Sequence, residues 1–394
     1  MNITKPYKLN SSTWSDEELD AIVGTIKSDR TSMGDAVFKF EHEFAKFVGS
    51  KYAVMVNSGS SANLLMIASL RYSNNYYNLL PNDEVIVPAV SWPTTYYPLY
   101  QYGLKLKFVD IDLNTLNYDL SKLNDALTDK TKAIVAVNLL GNPNDFNEIS
   151  NIINDENILL LEDNCESLGS EFENKYAGTF GIMGTYSFFF SHHMSTMEGG
   201  MVVTDDEHLH DILLSLRAHG WTRNLDKYNT LCQKSDNLFD ESFRFILPGY
   251  NVRPLEIEGA IGSTQLKKLP KFLEQRRENA KYFKQVFENN KFVQIQEEIG
   301  ESSWFGFSLI VKDDAPFTRD DLAKVFLNNH IECRKIVAGN FARKEVVKYF
   351  NYEIFGDLKN ADIVDNNGIY IGNDHLDHKD DIDNVKHIID NLSK

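Results

Sequence analysis

The sequence predicts an α/β fold, a mostly parallel central sheet with helices on both faces, followed by a small αβ domain at the C-terminal end. Three observations carry that reading. Short β-rich runs alternate with helical patterns from residue 51 to residue 204, as a parallel sheet with crossover helices requires. A long amphipathic stretch with little Gly or Pro, residues 264–289, then breaks the rhythm. Beyond it a different set of strands and helices begins. A chain of 394 residues also suits a large domain plus a smaller one. The expected division is 1–269 and 270–394.

The elements follow in order. Residues 51–57 (KYAVMVN) read as a strand and 60–72 (SSANLLMIASLRY) as the helix after it. Further buried strands are expected at 84–90, 106–110, 133–138, 158–162 and 200–204. The polar segment 225–242 reads as a long surface loop. Residues 264–289, holding the charged run 274–278, read as the helix joining two domains. Residues 304–311 are strand-like. Thr318, Arg319, Asp320 and Asp321 form a capping signal for a helix running through Asn328. Residues 331–337 read as another strand and 378–392 as a closing helix.

Composition excludes several classes of function. The formal net charge of −17 argues against a general nucleic-acid binder, which needs concentrated Lys and Arg. A small anionic ligand is still compatible, because a local pocket of backbone N–H groups binds anions at any net charge. Hydrophobic and charged contents of 42% and 25% are ordinary for a globular chain. No run approaches the roughly 18 apolar residues of a membrane span, and residues 1–7 lack the pattern of a secretory signal. The cytoplasm is the expected compartment. Cys165, Cys232 and Cys333 are odd in number and far apart, which reads as free thiols rather than a disulfide framework or a metal motif.

Three segments carry chemistry. Residues 57–63 (NSGSSAN) lie between a strand and a helix. Gly59 permits a tight turn, and Ser60 and Ser61 place hydroxyls beside the free N–H groups of a helix start, which suits a phosphate. Simple capping by serine explains the same residues. The segment lacks a Walker lysine and a GxGxxG pattern. Residues 159–167 (LLLEDNCES) form an apolar strand ending in carboxylates, at the edge where open α/β sheets bind ligands. An Asp there can hold the protonated nitrogen of a pyridine ring and make it a better electron sink. An ordinary acidic strand end is the alternative. Residues 187–200 (SFFFSHHMSTMEGG) place His192 beside His193. Adjacent histidines on a strand point to opposite faces and make poor joint metal ligands. One of them suits proton transfer near neutral pH, and plain surface histidines are the alternative.

Taken together, the three segments resemble the DegT/DnrJ/EryC1/StrS family of sugar aminotransferases. Further matching stretches are 88–94 (PAVSWPT), 217–220 (RAHG), 247–253 (LPGYNVR), 259–262 (GAIG) and 331–334 (IECR). The resemblance spans nearly the whole chain, from about Gly34 to Asn391. It implies the fold type I, aspartate aminotransferase-like architecture of PLP-dependent enzymes. By that resemblance Gly59, Ser60 and Ser61 hold the cofactor phosphate with help from Ser187, and Trp92 stacks on the pyridine ring. Asp163 pairs with the ring nitrogen, and Glu166 lies beside the ring's polar edge. Asn251 reaches the phosphate of a neighbouring subunit, so the implied assembly is a homodimer with a shared active site. His219 and Arg334 are the expected substrate contacts.

The sequence departs from the aminotransferases at one position. Their pattern Ser-Phe-x-x-x-Lys is followed six residues later by Glu-Gly-Gly, and counting from Ser187 to Glu198 places His192 on the lysine. A lysine binds the aldehyde of the cofactor covalently and moves protons. An imidazole cannot form that link, yet it still moves protons. The cofactor is therefore expected to be non-covalent, as pyridoxamine 5′-phosphate cycling with pyridoxal 5′-phosphate. The swap resembles the sugar 3-dehydratase branch of the family. One kind of enzyme in that branch carries an iron–sulfur cluster needing four cysteine ligands; with three scattered cysteines, no cluster and no metal are expected here. The resemblance then implies removal of the C3 hydroxyl from a GDP-linked 4-keto-6-deoxy sugar (mannose or a heptose analogue), in deoxysugar biosynthesis for O-antigen or capsular polysaccharide. L-Glutamate restores the amine, and ammonia is released. Two other readings stand beside it: a sugar-nucleotide 4-aminotransferase, and a non-catalytic sugar-nucleotide-binding relative.

Overall fold

The structure, a computed structural model, describes residues 6–73, 77–154 and 157–392. The signal-peptide reading of residues 1–7 therefore rests largely on residues outside the described ones. The alternating runs form an eight-stranded sheet. Its order is Tyr52–Val56, Gly200–Thr204, Met183–Ser187, Leu159–Asp163, Thr131–Val137, Glu84–Pro88, Lys105–Val109 and Tyr352–Ile354. Gly200–Thr204 is antiparallel to both its neighbours, and the other pairings are parallel.

Successive residues of a strand point to opposite faces, and here both faces are covered. Val85, Val87, Ala133 and Val135 share one core with Ala62 and Leu65 of the helix Gly59–Tyr72 and with Tyr96 and Leu99 of the helix Pro93–Gln101. Ile86, Ile134 and Ala136 pack on the other face with Leu123, Phe146 and Ile149, from the helices Leu120–Ala126 and Phe146–Ile152. This double burial is why the strands read as continuous apolar runs rather than alternating ones. Each buried Val, Leu, Ile or Phe among them contributes about 1.5–3 kcal/mol.

The long helix runs Glu256–Phe287 and so begins earlier than the expected residue 264. Glu258 starts it by accepting the Leu255 N–H at 2.9 Å. Its buried stripe changes partner along its length. Leu266, Leu269 and Leu273 pack with Phe40, Phe44 and Met201, whereas Ala280, Phe283 and Phe287 enter a separate core. We keep the division after residue 269 as our proposal for the domain organisation; it falls inside this helix, at Pro270.

The second core surrounds an antiparallel sheet ordered Val293–Gln294, Gly306–Val311, Gly368–Gly372, Cys333–Arg334. Helices Arg319–Asn328 and Lys379–Leu392 pack in the same region, the first held by a capping box between Thr318 and Asp321. The N-terminal segment joins it, since Tyr7 bridges Ile331 and is buried in this core. Conversely, Tyr352–Ile354 crosses back to the edge of the large sheet. Two expectations are corrected. The strand expected over 331–337 reduces to Cys333–Arg334, which pair with Ile371 and Tyr370 before the chain turns away, while Ile331 makes a single bridge to Tyr7. The loop 225–242 contains the short helix Leu238–Glu241. No helix among the described residues is long and apolar enough to cross a membrane.

Candidate active site

A cavity of about 360 Å³ opens at the C-terminal ends of Thr131–Val137, Leu159–Asp163 and Met183–Ser187. That is the edge where the parallel strands hand over to helix N-termini, the usual ligand site of such sheets. The volume lies within the range of small-ligand pockets. One wall is the start of the helix Gly59–Tyr72. Ser58 caps it, its Oγ accepting the Ser61 N–H at 3.1 Å. The N–H groups of the first turn not used in this cap form an anion-binding end. Close packing makes two glycines necessary there. A Cβ on Gly59 would lie 2.6 Å from Ser187 Cβ, and one on Gly200 would lie 2.3 Å from the Ser58 carbonyl oxygen.

Trp92 precedes the helix Pro93–Gln101, whose first position is the φ-restricted Pro93. It lines the cavity with 56% of its surface exposed, so its ring offers a bare aromatic face. Asp163 ends its strand beside Val137 and Thr185 in register. Its Oδ2 accepts from Asn63 Nδ2 at 2.8 Å and from Thr95 Oγ1 at 2.7 Å. Glu166 accepts the Leu140 N–H at 3.1 Å. Burial pushes its carboxyl up to about 7, the Leu140 N–H opposing and the charge of Asp163 adding to the rise.

His192 lies in a turn, not on a strand as its adjacency argument assumed. The turn is pinned at both ends: the His192 N–H donates to the Phe189 carbonyl at 2.9 Å, and the Thr196 N–H to the Phe188 carbonyl at 3.0 Å. His192 borders the cavity, its ring in edge contact with Phe305 at 5.2 Å between centroids. Its Nδ1 is buried without a hydrogen-bond partner. Burial first, and the Arg276 charge second, lower its pKa to about 4, against the Phe189 carbonyl. The imidazole is therefore neutral at pH 7. His193 is fully buried and donates from Nε2 to the Ser303 carbonyl at 3.1 Å; it shares the Phe305 contact with His192 but does not line the cavity.

The structure brings Gly59, Ser60, Trp92, Asp163, Glu166, Ser187, His192 and Arg334 to one cavity. Ser61 takes part in the cap, its N–H donating to Ser58 Oγ and its hydroxyl oxygen accepting from Ser58 Oγ at 3.1 Å. Asn251 and His219 are not part of that lining. Asn251 lies in a separate hollow with Trp221, Arg223 and Arg253, and His219 packs edge-on against Trp221. Sequence reasoning missed Phe305, Lys335 and Tyr370, which line the same cavity from the distant second half of the chain. It also missed Thr95, adjacent to a matched stretch but carrying no signal of its own.

The donor set fits a phosphorylated pyridine. The cavity joins a capped helix N-terminus crowded by Ser187, a bare indole face, a carboxylate at the strand end and a buried ring nitrogen of His192 that has no partner. Lys335 is the lysine in the lining, and its Nζ is paired with Asp365 Oδ1 at 3.2 Å.

Comparison with known proteins gives a consistent picture. Residues 13–390 match the DegT/DnrJ/EryC1/StrS aminotransferase family. The chain is 56% identical over 385 residues to GDP-4-keto-6-deoxy-D-mannose 3-dehydratase of Yersinia pseudotuberculosis, covering 97% of this chain and 98% of that one. It superposes with a TM-score of 0.96 on the Escherichia coli GDP-4-keto-6-deoxy-D-mannose-3-dehydratase with bound hydrated PLP, at 56% identity over 97% of this chain and 99% of that one. A structure of GDP-4-keto-6-deoxymannose-3-dehydratase with a trapped PLP-glutamate geminal diamine gives the same TM-score, 0.96, at 56% identity, covering 97% of this chain and 100% of the other.

Proposed function

This chain belongs to the DegT/DnrJ/EryC1/StrS aminotransferase family, and we propose that it is a PMP/PLP-dependent 3-dehydratase of GDP-4-keto-6-deoxy-D-mannose. The reaction removes the C3 hydroxyl, L-glutamate serves as amino donor, and ammonia is released. One observation carries the reading: an imidazole, His192, with a buried and unpartnered Nδ1, borders the cavity, and the lysine of its lining, Lys335, is paired with Asp365. The names of the relatives support the nucleotide and the sugar, and the adduct named in one of them supports glutamate.

Bound pyridoxamine phosphate supplies an amine for the C4 ketone and a ring that takes up electrons. The protein's residues account for the rest. Ser60 and the N–H groups beside it hold the phosphate, with the Ser187 hydroxyl close by. Trp92 would cover one ring face, and Asp163 would hold the ring nitrogen. His192, neutral at rest, accepts a proton from C4′ of the cofactor. The imidazolium so formed is the acid that protonates the departing C3 hydroxyl. Base and acid roles thus follow from one group in sequence, which a resting imidazolium would prevent. Glu166, its carboxyl raised to about 7 by burial, would lie at the ring's polar edge. Arg334 and His219 are our candidates for substrate contact. Asn251 is our candidate for a residue donated to a second copy, and its place outside the cavity is consistent with a homodimer that shares its sites.

The test supplies the purified protein with pyridoxamine phosphate, glutamate and a panel of GDP- and CDP-linked 4-keto sugars, hexose and heptose. Ammonia and product mass are followed. We expect one equivalent of ammonia per deoxygenated GDP-hexose. An amino sugar without ammonia identifies an aminotransferase instead, and no reaction with any GDP sugar rejects the substrate.

A further inference from the structure

Asp163 is the meeting point of two chains of hydrogen bonds that run through buried side chains of four elements. Its Oδ2 accepts from Thr95 Oγ1 at 2.7 Å, and the Thr95 hydroxyl is in turn 2.7 Å from Ser91 Oγ. An ionised carboxylate only accepts. The single proton of Thr95 is therefore committed to Asp163, and Ser91 must be the donor to Thr95. On the other side Asn63 Nδ2 donates to the same Oδ2 at 2.8 Å, and Asn63 Oδ1 accepts the Thr185 hydroxyl at 2.6 Å. Both chains thus point their protons towards one carboxylate oxygen. Ser91, Thr95, Asn63 and Thr185 are at most 4% exposed, so these bonds are made almost entirely within the protein. Oδ1 is treated differently. It takes the Cys165 N–H at 3.2 Å, which leaves acceptor capacity on an oxygen of a cavity-lining residue.

We propose that Thr95 and Asn63 are positioning residues for the cofactor ring, which act by occupying Oδ2 of Asp163 and so presenting Oδ1 to the ring nitrogen. This rests on the reading above that Asp163 pairs with that nitrogen. A charge-assisted bond is strong only when its donor and acceptor are aligned. A carboxylate at the end of a strand turns about its Cβ–Cγ bond unless something stops it. Here the stops come from two different helices, Asn63 on Gly59–Tyr72 and Thr95 in the first turn of Pro93–Gln101. The same helices supply the phosphate end and Trp92. The clamp therefore sets the carboxylate in register with the two other contacts of the ring.

The experiment measures binding of two probes by absorbance and fluorescence titration: pyridoxal phosphate, and its analogue with CH in place of the ring nitrogen. The wild-type protein is expected to prefer pyridoxal phosphate by about tenfold or more. Thr95→Val should abolish most of that preference while leaving affinity for the analogue within about twofold, because phosphate and stacking contacts stay in place. Thr95→Ser, which keeps the hydroxyl, should restore it. Asn63→Leu is an independent variant with the same expected loss, should Thr95→Val fold poorly. Circular dichroism and thermal unfolding establish which variants are folded. A wild-type preference retained in either folded variant overturns the proposal. A wild-type protein that binds both probes equally, or neither, overturns the pairing of Asp163 with the ring nitrogen and the proposal with it.

Discussion

At His192 the ring lies between Phe189 and Phe305, with centroid distances of 6.2 and 5.2 Å, and its Nδ1 has no partner. Such surroundings disfavour the charged form. Burial and the Arg276 charge hold the pKa at about 4, below the 6.5 of a free imidazole. The sign follows directly: between about pH 4 and 6.5 an ordinary histidine is protonated, whereas His192 remains a base. We expect the His192 ring protons, assigned by comparison with His192→Asn, to show an NMR titration midpoint near 4. A midpoint near 6.5 would contradict the burial that makes it a resting base. The position of His192 was legible as a count from Ser187 to Glu198. The roles of Asn63 and Thr95 were not, because neither residue has a signature until Asp163 lies between them.

The strand Tyr52–Val56, the helix Asp35–Val48 and the helix Glu207–Arg217 are tied together by one buried ion pair. Arg217 Nη1 meets Glu41 Oε1 and donates to the Met55 carbonyl at 2.8 Å, while Glu41 accepts the Met55 N–H at 2.7 Å. Burial raises the Glu41 carboxyl even against the attraction of Arg217. Arg217→Met leaves that carboxylate buried and unpaired, a loss of about 3–5 kcal/mol. Urea denaturation checks this, and adding Glu41→Gln should recover part of the loss. An Arg217→Met variant as stable as wild type would show that the pair does not hold these elements. At this scale the apolar strands were readable from their composition. Met183–Ser187 was not, because Gly184, Thr185 and Ser187 are polar or small and become buried only when the neighbouring strands and the helix Gly59–Tyr72 pack around them. The strand expected over 331–337 (IECRKIV) was shortened for another reason: in the sheet only Cys333 and Arg334 meet partners, Ile371 and Tyr370.

Across the whole molecule the second core is closed by His378, buried between Asp374 and Asp381 at 2.8 and 2.9 Å, with the Tyr7 ring tilted against it at 5.0 Å between centroids. Burial opposes the charge on His378, but the bonds to Asp374 and Asp381 outweigh it and raise its pKa to about 9. A raised folded pKa stabilises fully below the unfolded value of about 6.5, and that stability is lost as pH rises through about 9. At 1.36 kcal/mol per unit the effect is bounded at roughly 3 kcal/mol. Unfolding midpoints in urea should fall between pH 6 and 9.5 in the wild type and fall much less in His378→Gln; an equal fall in both would remove His378 as the cause.

Local sequence determined six of the eight strands of the large sheet, the serine-capped helix start, the acidic strand end at Asp163 and the histidine in place of lysine. Each depends on residues adjacent along the chain, whose periodicity and spacing survive any later packing. Tertiary structure alone decided that Phe305, Lys335 and Tyr370 complete the cavity, that Asn251 stands outside it, and that donors from two helices clamp Asp163. Those contacts join residues tens to hundreds of positions apart. Their energies exist only once the chain has closed around them, so no local pattern announces them.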